Sequence, residues 1–153
     1  MLANLLVALS NAPCYFPINT ALANNDRITF GALAFVSSAS FLSHLVENHK
    51  HGMPGIGFSK KVSYFLNRLD VLGCLVVSSR FSYLYFTKYG LSNSPLLDNK
   101  LFILASVIPL IFLRISEYDK YNYRLKNVYI ITHCIWHVSI FAVMNYFLVK
   151  IIY

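Results

Sequence analysis

The sequence predicts an all-α, polytopic membrane bundle of about five transmembrane helices, forming one integral domain over residues 1–153. Three observations predict it. Hydrophobic residues make up 57% of the chain and charged residues 12%, against roughly 25% charged in an average soluble domain. A soluble domain of 153 residues has no core large enough to hide so much apolar surface. The apolar residues also fall into five segments, with Lys and Arg mostly at their ends, where such side chains meet headgroups.

A span needs about 20 mostly apolar residues, within a range of about 17 to 25. The first runs from about Leu2 to Asn24 and carries Pro13 and Pro17, which should bend it. The second runs from about Ile28 to Glu47 and ends in the polar, glycine-rich loop Asn48 to Gly57. The third begins near Val62 and reaches Ser79 or beyond. Arg80 interrupts that run, and the aromatic stretch from Phe81 to Phe86 follows it. Residues 62 to 89 are too long for one perpendicular span and too short for two. Tyrosine favours the membrane–water boundary, so the stretch 81 to 89 is expected to extend or cap the third span. The fourth span is roughly Lys100 to Ser116 and the fifth roughly Val128 to Ile151. No internal repeat or low-complexity tract is visible.

The net charge of +7 does not indicate nucleic acid, because the longest basic run is Lys60-Lys61 and the cations border apolar segments. Cys14, Cys74 and Cys134 lie in apolar segments without C-x-x-C spacing, so they read as small buried hydrophobes rather than disulfide partners. The first Lys or Arg is Arg27, so residues 2 to 24 lack a basic leader region and are expected to be a retained span.

Ionisable residues in apolar runs are costly in hydrocarbon and mark candidate functional sites. His133 and His137, in His133-Cys134-Ile135-Trp136-His137, are four residues apart and share one helical face. His44 lies near the end of the second span, with Ser40 four residues before it and Ser37 continuing the stripe. Asp70 follows Val62 by eight residues, about 12 Å along a helix, a depth compatible with the histidines. Three His around one ion match a catalytic zinc site whose fourth position holds water. Asp70 would then orient that water or accept its proton, and Ser40 would hydrogen-bond the water or a developing oxyanion.

Each residue also has a plainer reading. Two buried histidines can hydrogen-bond carbonyls, Asp70 can pair with Arg68 or Arg80, and Ser40 can be a small interface residue. Glu47 is either a partner of His44 or an interfacial charge, Trp136 reads as an interface anchor, and His49 and His51 as solvated loop residues.

Five spans pass a parity test. His44 lies at the exit end of the second span, and His133 and His137 lie in the entry half of the last. A shared site therefore needs an even number of intervening spans, and two fit. The loops with Lys50, Lys60, Lys61, Arg114, Lys120, Arg124 and Lys126 then share one side, opposite Arg27, Lys88, Lys100 and Lys150. The positive-inside rule places the first group, and the site, toward the cytosol.

The pattern Ser40-x3-His44, Asp70 in the third span and His133-x3-His137 in the last resembles the CREST superfamily. That group covers alkaline ceramidases, adiponectin-receptor-like proteins, lipid-remodelling hydrolases of GPI anchors, and the myomaker/transmembrane-8 proteins. The local sequence is most similar to the last branch. It has a proline-bearing first helix, the turn Asn25-Asp26-Arg27, the loop Gly52-Met53-Pro54-Gly55 after His44, the helix start Asn67-Arg68-Leu69-Asp70, and Tyr129 before the paired histidines. The likeness covers about the first 80 and the last 30 residues. It implies His44, His133 and His137 as Zn2+ ligands, with Ser40 and Asp70 as the accompanying polar pair. The superfamily typically has seven spans, so this chain resembles a shortened version, the deficit falling between Arg80 and Tyr123.

Together these point to a zinc-dependent hydrolase of an amide or ester bond in a membrane lipid, embedded in a bilayer. The alternatives are a non-enzymatic, zinc-stabilised protein for lipid sensing or membrane remodelling, and a metal-free bundle. The sequence names neither the lipid nor the membrane.

Overall fold

The computed structural model describes residues 2–46, 59–119 and 126–153, and among them the secondary structure is helical throughout, without strands. Glu47, His49, His51, the loop Gly52-Met53-Pro54-Gly55, Lys120 and Arg124 lie outside the described residues. Five helical stretches are long and apolar enough to cross a membrane: Leu2–Ala23, Arg27–Val46, Lys60–Tyr89, Lys100–Tyr118 and Val128–Ile152.

The first stretch is broken, as its prolines require. Helix α1 covers Leu2–Leu9, a short 3-10 turn covers Ala12–Cys14, and α2 covers Tyr15–Ala23. Pro13 sits in the 3-10 turn, where its missing N–H and fixed φ prevent a continuous α-helical ladder. Helix α3, Arg27–Val46, starts after Asn25, whose φ of 57° turns the chain. Asp26 caps α3 by accepting from the Thr29 backbone N–H at 2.9 Å, a favoured N-cap arrangement with the carboxylate at the positive helix end.

Helix α4 runs unbroken from Lys60 to Tyr89. Its 30 residues span about 45 Å against a hydrocarbon thickness of about 30 Å, so the Tyr-rich stretch extends the third span. Arg80 does not break it. Its Nη2 donates to both Asp26 carboxylate oxygens, at 2.9 and 2.8 Å, and its Nε donates to Thr29 Oγ1 at 2.9 Å. Helices α5 (Ser94–Asp98), α6 (Lys100–Asp119) and α7 (Lys126–Phe147) follow, and α7 runs into a π-helical turn over Leu148–Ile152. Pro109 lies inside α6, where it removes one backbone hydrogen bond.

Helix α3 packs on α4 and α6 packs on α7, while the first span lies against both α3 and α7. Thr20 Oγ1 donates to Asn145 Oδ1 at 2.7 Å, tying α2 to α7. Helices α3 and α4 approach closely at Gly73, where an added Cβ would stand 2.9 Å from Val36 Cα. Small residues at such crossings let membrane helices pack tightly. Gly73→Ala should push the two helices apart and destabilise the protein by about 1–3 kcal/mol, measurable as a lower denaturation midpoint in detergent. An unchanged midpoint would show that the contact is not tight.

The apolar side chains on the outer surface, such as Leu75, Leu104 and Ile131, are exposed in the isolated chain and would meet lipid in a bilayer. Cys14 is buried as expected, whereas Cys74 faces outward; all three cysteines are free. Five crossings would place residues 2 and 153 on opposite sides of a bilayer. Tags at each end should therefore differ in protease accessibility in sealed vesicles, and equal accessibility would rule out an odd span number.

Candidate metal centre

The two ends of α3 carry the two polar constellations of the fold. Asp26 and His44 are 18 positions apart, about 27 Å along the helix, close to the thickness of the hydrocarbon core. The ion pair with Arg80 therefore lies at one end of α3 and the histidine cluster at the other, near opposite boundaries if α3 crosses a bilayer.

The register that sets Gly73 beside Val36 and Arg80 beside Thr29 sets Asp70 level with about Ala39, a little over one turn before His44. Helical side chains lean toward their own N-terminus. On antiparallel helices His44 leans back toward Ser40 while Asp70 leans the opposite way, so the two converge. Asp70 Oδ2 comes within 3.9 Å of His44 Nε2.

Helix α7 brings the other two rings. His133 Nε2 lies 3.1 Å from His44 Nε2, and ring centroids in the trio are 4.6, 4.7 and 5.0 Å apart. One nitrogen from each of His44, His133 and His137 lies within 4.8 Å of the others, so the three can hold one metal ion. Tetrahedral ligands about 2.05 Å from zinc are about 3.3 Å apart, so small ring rotations close the set. All three histidines are buried, at 4–5% exposure. Ser40 Oγ is 3.5 Å from His137 Nε2. The Asp70 side chain is 16% exposed, against 6% for that of His44.

His44, His133, His137, Ser40 and Asp70 thus lie close together. The competing pairings for Asp70 find other partners: Arg80 is engaged by Asp26, and Arg68 donates to Tyr64 Oη at 2.7 Å. Ser37 lies off the cluster, lining a surface groove with Ala8, Ala12 and Phe41. Trp136 is half-buried beside His137, with ring centroids 6.5 Å apart.

The chain is 58% identical over 151 residues to "Uncharacterized protein L282" of Acanthamoeba polyphaga mimivirus, covering 98% of this chain and 99% of that protein. It belongs to that protein's family. No family model matches the chain, and no solved structure matches it. The activity of the family must therefore be argued from the site itself.

Three site neighbours escaped the sequence reading. Ser10, in the break of the first span, has Oγ 2.7 Å from His137 Nδ1. Ser116, on α6, has Oγ 3.2 Å from His133 Nδ1. Asn4, buried in α1, donates Nδ2 to the His44 carbonyl at 3.0 Å. The criterion that singled out the histidines, a strongly polar group in an apolar run, applied equally to Asn4. Ser116 carries no such signal, because only the packing of α6 on α7 brings it to His133.

Proposed function

We propose that this chain is a zinc-dependent intramembrane hydrolase of an amide or ester bond in a membrane lipid, and a shortened CREST-like protein. The observation that carries the reading is the placement of Asp70 3.9 Å from His44 Nε2, on a different helix, beside three buried imidazoles. Neutral imidazoles suit zinc among the common ions, whereas an all-oxygen set would suit magnesium or calcium. Zinc held by His44, His133 and His137 supplies Lewis acidity toward an acyl carbonyl and a water with a pKa near 7. Asp70 accepts the proton of the attacking water and returns it to the leaving amine or alcohol. Ser40, on the same face of α3 as His44, donates a hydrogen bond to the oxyanion that develops as the acyl carbon becomes tetrahedral. Water adds to the acyl carbon, the bond to nitrogen or oxygen breaks, and a fatty acid leaves.

A second reading is favoured by one observation. The cluster joins α3 to α7, and so the α3–α4 pair to the α6–α7 pair. An ion there would act as a clamp in a non-enzymatic protein for lipid sensing or membrane remodelling.

The test is turnover of ceramide, GPI lipid and phospholipid in vesicles holding the purified protein, with elemental analysis of the same samples. About one zinc per chain together with fatty-acid release is the expected result. Zinc without release moves the assignment to the clamp, and absence of zinc overturns both.

A further inference from the structure

We infer that Ser10 and Ser116 are positioning residues that fix the tautomer of His137 and His133, so that each ring presents an unprotonated Nε2 to the shared point. The inference rests on the metal-site reading for its purpose and on hydrogen-bond bookkeeping for its content. A serine hydroxyl has one proton. Ser10 Oγ lies 2.6 Å from the Val7 carbonyl oxygen and 2.7 Å from His137 Nδ1. The carbonyl can only accept, so the Ser10 proton points at Val7 and an oxygen lone pair faces the ring. That contact is attractive when His137 Nδ1 carries a hydrogen.

Ser116 repeats the device from the other side of α7. Its Oγ donates to the Leu113 carbonyl at 2.9 Å and faces His133 Nδ1 at 3.2 Å. With hydrogen on Nδ1, a neutral imidazole keeps its lone pair on Nε2. Those are the nitrogens turned inward: His133 Nε2 toward His44 Nε2, and His137 Nε2 toward Ser40. Metal-binding histidines commonly donate their second ring N–H in this way, which holds ring orientation and raises ligand basicity. Here the acceptor is a hydroxyl locked by its own helix carbonyl.

The break in the first span acquires a role from this. Ser10 is the residue after α1, its N–H still bonded to the Leu6 carbonyl at 3.0 Å. Pro13 ends the regular ladder just beyond and lets the chain present that hydroxyl to α7.

The test uses the full chain in detergent, with zinc affinity measured by chelator competition and histidine ring nitrogens followed by 15N NMR without metal. Ser10→Ala and Ser116→Ala should each weaken zinc binding about 10–100-fold, and Ser10→Thr, which keeps the hydroxyl, should restore most of it. Ser43→Ala removes a buried hydroxyl with no hydrogen-bond partner among the described residues and should bind zinc as the wild type does. Wild-type affinity in both Ser10→Ala and Ser116→Ala would overturn the inference while leaving the metal reading standing. If the wild type takes up no zinc, the metal reading fails and the NMR still decides. Hydrogen on Nδ1 of His133 and His137, lost in the alanine variants, supports the serine braces; hydrogen on Nε2 in the wild type overturns them.

Discussion

Replacing Asp70 with Asn should leave zinc in place and lower lipid turnover by about 10²–10⁴-fold, the usual contribution of a general acid–base group. The substitution keeps side-chain size and removes the proton acceptor beside His44, 3.9 Å away in the wild type. His137→Ala should behave differently. It deletes one of three buried donors, so the protein should lose the metal, and stability with it, because ion binding and folding are linked. Turnover and zinc content measured together on both variants separate the roles. A clamp predicts that Asp70→Asn lowers zinc affinity and melting temperature together, through the orientation of His44, with no turnover to lose. Full turnover in Asp70→Asn would remove that residue from the mechanism.

The second large effect is expected at the opposite boundary. Arg80→Ala should destabilise the protein by about 3–5 kcal/mol, the range for breaking a buried ion pair from one side. The Arg80 and Asp26 side chains are only 14% and 12% exposed. Loss of the guanidinium leaves the carboxylate with Thr29 and Tyr153, whose Oη donates at 2.9 Å. Burial alone would raise the pKa of Asp26, but hydrogen bonds from Thr29, Arg80 and Tyr153 outweigh it and hold the pKa at about 2, below the ordinary 3.8. The folded form thus binds this proton less well than the unfolded form. The stabilisation is complete above about pH 4 and is lost as pH falls toward 2. Arg80→Ala should flatten that acid limb as well as lower the midpoint. An unchanged unfolding profile between those pH values would show that the pair contributes little.

The histidine site was legible because its members are conspicuous. Imidazoles and a carboxylate in apolar runs have few cheap explanations, and helical spacing plus span parity was enough to bring His44 to His133 across 89 positions. The ion pair of Asp26 with Arg80 was not legible. Asp26 read as part of a turn and Arg80 as an interruption, and only the α3–α4 register sets them opposite each other. The serine braces were hidden for a different reason. Hydroxyls in membrane helices routinely bond a carbonyl three or four residues back, as Ser106, Thr132 and Ser139 do here. In sequence Ser10 and Ser116 look the same as these, and the second contact that distinguishes them is tertiary. The break near Pro13 was expected from the prolines, whereas the π-helical end of α7 had no sequence mark. Lys88 Nζ and Tyr89 Oη reach its Ile151 carbonyl at 3.0 and 2.6 Å, so packing of α4 against that turn accompanies the looser winding.

The broken first span also sets an order on biogenesis. Ser10 meets His137 across 127 positions, and Tyr153 meets Asp26 across the same separation. Neither closure can form until α7 is in place, and His44 waits for its partners while α4 and α6 are made. If the trio binds an ion, a growing chain would offer it only His44, too few donors for tight capture, until the helix that carries His133 and His137 has emerged. Metal loading would then follow the packing of α7 on α3.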